Sequence, residues 1–254
     1  MCSPCYDVIV VGGGPAGATA AYHLAQHDLA VAIVDKDGFP RVKPCGGGLT
    51  YRLVHRFPEL NEKLNPYVLK RVAAIHFYAP DYSSLRYTYD EPLSLMIQRR
   101  DFDAMLIEQC QHAGVKVMAP SRVVDVTVTK EYVDLSTDHA ENFRAKAIIG
   151  ADGVNSVVAR STGLRGKWQR NQLMSSIVAE CPIHPQVLPD PDTIYILFGF
   201  HGLGYGWLFP KGDHINMGLY TQRCNGVIRR KDLDAYIQKK LGRVRRERIR
   251  GYPL

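Results

Sequence analysis

Two glycine runs near the amino terminus carry the residue types best suited to chemistry. The first, Gly12-Gly13-Gly14-Pro15-Ala16-Gly17, keeps the G-x-G-x-x-G spacing. Gly12 allows a tight turn, Gly14 lets backbone N–H groups reach a pyrophosphate, and Gly17 lets the following helix pack close to its strand. Ala16 opens that helix, so the pyrophosphate would sit at a helix N-terminus. Asp35 follows at about 20 residues, where a carboxylate accepts hydrogen bonds from an adenosine ribose and repels a 2′-phosphate. The second run, Cys45-Gly46-Gly47-Gly48, sets a thiol beside bare backbone. A thiol can give or take a proton, and glycines let a flat ring approach closely.

Regular elements must hold these residues. Residues 6–11 form a β-branched run suited to a buried parallel strand, and residues 29–34 a second strand ending at Asp35. Residues 16–27 read as the helix between them. A helix is predicted from Gln98 to about Ala113, and 147–156 as strand, turn and helix start. Further strands are expected at 115–118, 123–129 and 132–136, and in a separate set at 71–78, 85–89, 173–180, 193–200, 205–209 and 215–220. Residues 182–191 form a proline-rich loop, and 231–241 a helix. The Gly-rich stretch 199–206 lacks nucleotide-loop spacing and precedes a strand, so it reads as a hairpin. A second Rossmann unit is therefore not expected. The predicted fold class is α/β, a Rossmann-type cofactor domain with an interleaved, mainly antiparallel sheet domain. The cofactor domain takes 1–65 and 97–165, the substrate sheet 66–96 and 166–222, and a basic helical tail 223–254. The interleaving predicts a sheet lying over the cofactor, with the substrate cavity between.

Two later segments point to FAD by resemblance. Gln98-Arg99-Arg100-Asp101-Phe102-Asp103 and Gly150-Ala151-Asp152-Gly153 resemble the R-x-x-F-D and G-A-D-G segments of flavoproteins with the p-hydroxybenzoate-hydroxylase-type fold. The resemblance implies that Arg99 reaches the FAD phosphates and that Asp152 and Gly153 lie near the FAD and a nicotinamide crevice. Arg41 is expected to contact FAD in such a fold, the alternative being a surface arginine in a loop. Val124 is counted among the cofactor contacts. Structural alternatives are a first-turn arginine for Arg99 and a turn with a helix cap for Asp152.

Pro44-Cys45-Gly46-Gly47-Gly48-Leu49 and Gly204-Tyr205-Gly206-Trp207-Leu208-Phe209-Pro210-Lys211-Gly212-Asp213 narrow the class further. They resemble segments of the geranylgeranyl reductase family, whose members use FAD to saturate double bonds of prenyl chains on lipids or chlorophyll precursors. The family normally continues into a Gly-Asp-Ala-Ala-Gly segment and a helical region, and neither is present here. Two readings stand, a fragment and a naturally shortened chain. The electron donor implied is NADPH in the crevice beside Asp152, or a separate protein such as ferredoxin.

An isolated prenyl double bond has no carbonyl for an oxyanion hole to activate. Protonation of its less substituted carbon gives tertiary cationic character, which a flavin hydride then quenches. Cys45 is the candidate acid, with a relayed water as alternative, and Gly46, Gly47 and Gly48 are expected to let the isoalloxazine approach. Tyr205, Trp207 and Phe209 lie two residues apart and are expected to share a face. Tyr205 and Trp207 would line the prenyl slot and stabilise positive charge. The plainer alternatives are a packed cysteine and a tryptophan of the sheet core.

Composition bounds the partners. The chain has 254 residues and a formal net charge of +7. Residues 223–254 hold 11 Lys/Arg against 3 Asp/Glu, so the excess is local. That run is either a solvated helix with a basic linker or a peripheral contact with an anionic membrane. No recognition motif suggests nucleic acid. No stretch reaches transmembrane length and no signal peptide is read, so a cytoplasmic protein, peripheral at most to the inner membrane face, is expected. Six scattered cysteines fit a reduced chain. Cys2-x-x-Cys5 precedes a strand, which is poor context for a redox pair. The competing functions are a monooxygenase or halogenase of the same fold, which would consume oxygen, and a non-catalytic truncated chain.

Overall fold

A computed structural model describes residues 5–242, apart from 82, 201, 203, 223 and 225, together with 252–253. The chain divides into two compact units, Met1–Val42 with Arg100–Lys167, and Lys43–Arg99 with Trp168–Leu254.

The first unit holds a six-stranded sheet in the order β8-β2-β1-β11-β10-β9. Its strands are β1 (Cys5–Val11), β2 (Val31–Val34), β8 (Lys116–Met118), β9 (Val123–Val128), β10 (Val133–Thr137) and β11 (Asn142–Gly150). β8, β2, β1 and β11 are mutually parallel, and β10 and β9 extend the sheet antiparallel. Ile9, Val10, Ala32 and Ile33 are fully buried, as befits parallel strands covered on both faces. The crossover helix α1 (Pro15–Ala25) starts with Pro at its first positions, where the ring's missing N–H costs nothing. α4 (Arg99–His112) lies against α1, with the Cys110 thiol donating to the Ala18 carbonyl at 3.1 Å. α5 (Val157–Ser161) is N-capped by Ser156, whose Oγ accepts from the Ala159 amide at 2.9 Å.

The second unit is built on a seven-stranded sheet, order β16-β12-β15-β14-β13-β5-β6. The strands are β5 (Ala74–Tyr78), β6 (Ser84–Thr88), β12 (Met174–Cys181), β13 (Thr193–Phe200), β14 (Gly204–Pro210), β15 (Ile215–Gln222) and β16 (Tyr252–Pro253). All neighbours are antiparallel except β13 and β5. Strand alternation gives the sheet two different faces. Ile177, Ala179, Leu197, Leu208, Met217 and Leu219 pack with Leu233, Tyr236 and Ile237 of α6 (Arg230–Leu241). Phe198, Tyr205, Trp207, Phe209 and Tyr220 lie on the other face by register. Trp207 sits opposite Gly218, and a Cβ on Gly218 would collide with the indole. A smaller sheet of β3 (Gly48–Thr50), β7 (Ser94–Ile97) and β4 (Val68–Val72) carries Val72 and Met96, which pack with Ile194 and Phe209.

The α/β class and the interleaved, mainly antiparallel sheet agree with the sequence reading. The boundaries do not. Residues 43–65 belong to the second unit, because β3 pairs with β7 and not with the Rossmann sheet. Within the expected tail of 223–254, the described elements do not stand apart, since α6 packs on the seven-stranded sheet and β16 pairs with β12. The single strand expected at 71–78 is two, β4 and β5, in different sheets. The strand pattern runs on through Ala73, so only the tertiary pairing reveals the break. Cys2 and residues 243–251 of the basic run lie outside the described residues. Among the described residues no helix is long and apolar enough to cross a membrane.

Gly218→Ala forces the Trp207 ring to move. The expected loss is about 1–3 kcal/mol of unfolding free energy, typical of overpacking, read from urea denaturation followed by tryptophan fluorescence. An unchanged midpoint contradicts this packing.

Candidate functional site

The first unit presents the glycine loop after β1. Gly12 has φ +100°, and a Cβ there would strike the Ala151 carbonyl. A Cβ on Gly17 would strike the Gly12 carbonyl. These two glycines are required by the chain's own packing. Gly14 differs, because a Cβ there meets only the Arg41 Nη2, at 3.9 Å. The space beside Gly14, at the N-terminus of α1, is therefore an open cradle, where helix N–H groups lack intrahelical acceptors.

Arg41 overlooks this cradle. Its side chain is 12% exposed, and its Nη1 lies 3.1 Å from Oδ2 of the fully buried Asp103. The pair is close in charge but not aligned as a hydrogen bond, and neither Nε nor Nη1 has a hydrogen-bond partner among the described residues. The guanidinium also lies 4.9 Å from the Phe39 ring centroid. A half-buried cation with unused donors next to an open helix N-terminus fits the pyrophosphate of a dinucleotide such as FAD. Asp103, the last residue of the Arg99–Asp103 segment, was not singled out from sequence. Its signal was an acid at a helix position otherwise lined by buried apolar residues.

The other expected cofactor residues are less alike. Asp35 is buried, its Oδ2 accepting from the Gly13 amide at 2.6 Å and its Oδ1 from the Asp37 amide at 2.8 Å. It shapes the glycine loop, and each oxygen retains a lone pair for a ribose hydroxyl. Asp152 Oδ2 accepts from the Val157 and Val158 amides at 2.6 and 3.3 Å, which is a helix-start role. Its Oδ1 is buried without a partner among the described residues. Gly153 adopts φ +79° with open space around it. Ala16 lies in the first turn of α1, Arg99 is the half-buried first residue of α4, and Val124 is an exposed position of β9.

The second unit gathers a different set at one end of the aromatic face. The Cys45–Gly48 loop lies against that face. A Cβ on Gly46 would meet Phe209 at 2.8 Å and the Trp207 Nε1 at 3.3 Å. Gly47 has φ +72°, and a Cβ there would meet the Ile97 carbonyl and, at 2.9 Å, the Lys211 Nζ. A Cβ on Gly48 would meet Ser94 Oγ at 3.3 Å. These glycines, expected as room for a flavin, also face atoms of their own unit, closely at Gly46 and Gly47 and less so at Gly48. The Gly47 amide donates to Cys45 Sγ at 3.4 Å, and Asn216 Nδ2 donates to the Cys45 carbonyl at 3.1 Å. Trp207, 5% exposed, donates its Nε1–H to Asn216 Oδ1 at 2.8 Å. It is a core residue that positions Asn216. Tyr205, Trp207 and Phe209 do share a face, with successive ring centroids 6.1 Å apart, and Tyr205 is flanked by Tyr220 and Phe198.

Sequence inspection missed the charged centre of this set. Lys211 follows β14 and its side chain is 0% exposed. Its Nζ donates to the Ile97 carbonyl at 3.0 Å and lies 3.4 Å from Glu180 Oε1. Glu180 Oε1 also accepts from Asn216 Nδ2 at 2.8 Å, and its Oε2 is 3.2 Å from His214 Nε2. His214 Nδ1 lies 2.7 Å from Asp213 Oδ1, and Gln98 Nε2 lies 2.9 Å from His214 Nε2. Gln98 and Glu180 thus both approach His214 Nε2, and the Glu180 contact is a charge pairing not aligned as a hydrogen bond, since Oε2 has no hydrogen-bond partner among the described residues. Burial pulls Lys211 below the ordinary lysine value, only partly offset by Glu180 and Cys45. Burial disfavours the Glu180 carboxylate, yet His214, Lys211 and Asn216 together outweigh it and hold its pKa below the usual range. Burial likewise opposes His214 protonation, but Glu180 and Asp213 prevail and raise its pKa. The available signal was polar Glu180 and Asn216 at positions that alternate onto an apolar sheet face.

The raised His214 pKa means that its charged form persists above pH 6.5. His214 should therefore stabilise the fold at low pH and lose that contribution as pH rises through its own titration. Imidazole proton shifts followed by NMR should give a midpoint above 6.5, and Glu180→Gln should lower it. A midpoint unmoved by Glu180→Gln would show that the pair does not couple.

Comparison with known proteins agrees with the glycine loop. A family model described as FAD binding domain matches residues 5–221. An uncharacterized protein of Methanosarcina barkeri is 31% identical over 97% of this chain and 62% of its own length. The digeranylgeranylglycerophospholipid reductase of Methanococcus vannielii is 27% identical, covering 84% of this chain and 55% of the relative. Among solved structures, a geranylgeranyl bacteriochlorophyll reductase-like protein from Thermoplasma acidophilum superposes with TM-score 0.83 at 25% identity, over 98% of this chain and 66% of that one. The chain thus spans between about half and two thirds of the length of these relatives. An open cradle at Gly14, faced by a half-buried arginine, and a matching model over most of the sequence lead to one conclusion: the chain belongs to the FAD binding domain family.

Proposed function

We propose that this protein is an FAD-dependent reductase that saturates carbon–carbon double bonds of geranylgeranyl or related prenyl chains. The observation that carries this reading is the aromatic face of the second unit, which ends at a cysteine loop beside a buried lysine. Relatives named as reductases of geranylgeranyl compounds support it. FAD, when bound, supplies the hydride. Gly14, Ala16, Gly17 and Arg41 would hold its pyrophosphate, with Asp35 toward the ribose. Arg99, Val124, Asp152 and Gly153 are proposed as further contacts.

The chain's own residues account for the rest of the chemistry. Tyr205, Tyr220 and Phe198 offer ring faces to an apolar chain, and Phe198 is exposed enough to receive one. Such faces stabilise positive charge developing on an alkene carbon. Cys45 Sγ donates the proton to the less substituted carbon. Trp207 holds Asn216, and Asn216 holds the Cys45 carbonyl, so Trp207 is a positioning residue in this scheme. The partner is a geranylgeranyl-bearing lipid or diphosphate, and reducing equivalents come from NADPH or a ferredoxin-type protein. Because the substrate is lipid-like, peripheral contact with a membrane through the basic carboxy-terminal run is part of the proposal.

Titration of the purified chain with FAD should give one-to-one binding, and Arg41→Ala should weaken it by about tenfold or more, the worth of a charge-assisted hydrogen bond. Undiminished binding in the variant would remove Arg41 from the site.

Anaerobic incubation of FAD-loaded protein with dithionite and geranylgeranyl diphosphate should give products heavier by one H2 per saturated bond, read by mass spectrometry. Cys45→Ser should cut the rate by roughly 100-fold, the scale of lost general acid catalysis, with FAD binding retained. Oxygen-dependent modification of aromatic compounds without prenyl reduction would sink the proposal in favour of a monooxygenase or halogenase.

A further inference from the structure

A chain of titratable groups leads from solvent to the cysteine loop, and it serves no purpose in a single proton donation. Asp213 has a side chain 91% exposed. It touches His214 at 2.7 Å, His214 touches Glu180 at 3.2 Å, and Glu180 lies 3.4 Å from Lys211. Lys211 Nζ lies against Gly47, whose amide donates to Cys45 Sγ. Every link belongs to the second unit, on β12, on Gly47, and on the turn between β14 and β15. Glu180 Oε2 is buried and has no hydrogen-bond partner among the described residues, with His214 Nε2 3.2 Å away.

Burying a lysine fully is costly unless it is paired, and here a single carboxylate and a carbonyl serve. Cys45 is among the neighbours that favour the Lys211 ammonium.

We propose that Asp213, His214, Glu180 and Lys211 form a proton relay that reprotonates Cys45 after each reduction. The inference rests on the reading of Cys45 as the acid. Once Cys45 has given its proton to the alkene carbon, the Lys211 ammonium returns one to the thiolate, leaving a thiol and a neutral amine. The His214 imidazolium passes its Nε2 proton to Glu180 Oε2. Glu180 turns about its soft terminal torsion and delivers that proton to Lys211, restoring carboxylate and ammonium. His214 is recharged from solvent at Nδ1 through Asp213. One proton moves from water to Cys45 per cycle, and no electrons move along the path.

The test uses the full chain loaded with FAD, reduced by dithionite, with geranylgeranyl diphosphate as substrate. Rapid quench separates the first saturation from later ones. His214→Gln should slow later turnovers by about tenfold or more, far beyond any effect on the first, on the scale of a lost proton-transfer step. Added imidazole should restore the rate. Wild-type cycling should fall as pH rises through the His214 titration, a titration set by Glu180, Asp213 and Lys211 together with the Gln98 amide. The variant should lose that fall. A His214→Gln protein that cycles at the wild-type rate with the wild-type pH profile overturns the relay. A Cys45→Ser protein that keeps its first turnover overturns the acid assignment itself, and the relay with it.

Discussion

A fully buried ammonium, that of Lys211, constrains the second unit more than any other group. An isolated charge in a protein interior carries a desolvation cost of several kcal/mol, so its neighbours must supply charge and acceptors. Glu180 at the end of β12 supplies the charge, and the Ile97 carbonyl at the end of β7 supplies the acceptor. The two come from different sheets. The small three-stranded sheet is thereby tied to the seven-stranded one, and Gly47 must stay a glycine to leave the ammonium its space. Asn216 and His214 follow from the same demand. Asn216 of β15 donates to Glu180 Oε1, and His214, in the turn just before β15, sets a second charge 3.2 Å from Oε2.

The aromatic stripe depends on the same arrangement. Asn216 accepts the Trp207 N–H while donating to Glu180 and to the Cys45 carbonyl. One side chain thus couples an apolar face, a charged pair and the cysteine loop. Gly218 permits it, since the indole occupies the space a side chain would take. An apolar face ending in a polar, hydrogen-bonded cluster is the arrangement that a long hydrocarbon with one reacting bond requires. Most of its length is held by dispersion and ring faces, and only the reacting end meets polar groups.

The first unit obeys a simpler rule. Gly12 and Gly17 are closed by the chain, and Gly14 is left open. Arg41 is held in place by Asp103 and Phe39, and its remaining donors are left unused within the described protein. A packed loop with one unfilled place and one underused cation is a preorganised anion site.

Much of this was legible in the residues alone. Spacing identified the dinucleotide loop, because glycine at three positions answers local backbone requirements that any βαβ turn imposes. Alternation identified the Tyr205, Trp207 and Phe209 face, because strand geometry has period two. What the linear order could not show was which distant strands pair. The split of 71–78 into two sheets, the transfer of 43–65 to the second unit, and the union of Glu180, Lys211, His214 and Asn216 all arise from pairing across long sequence separations. A lone lysine after a proline looks like a surface residue. Only the tertiary structure, by closing two sheets over it, made it a buried charge and obliged its neighbours to answer it.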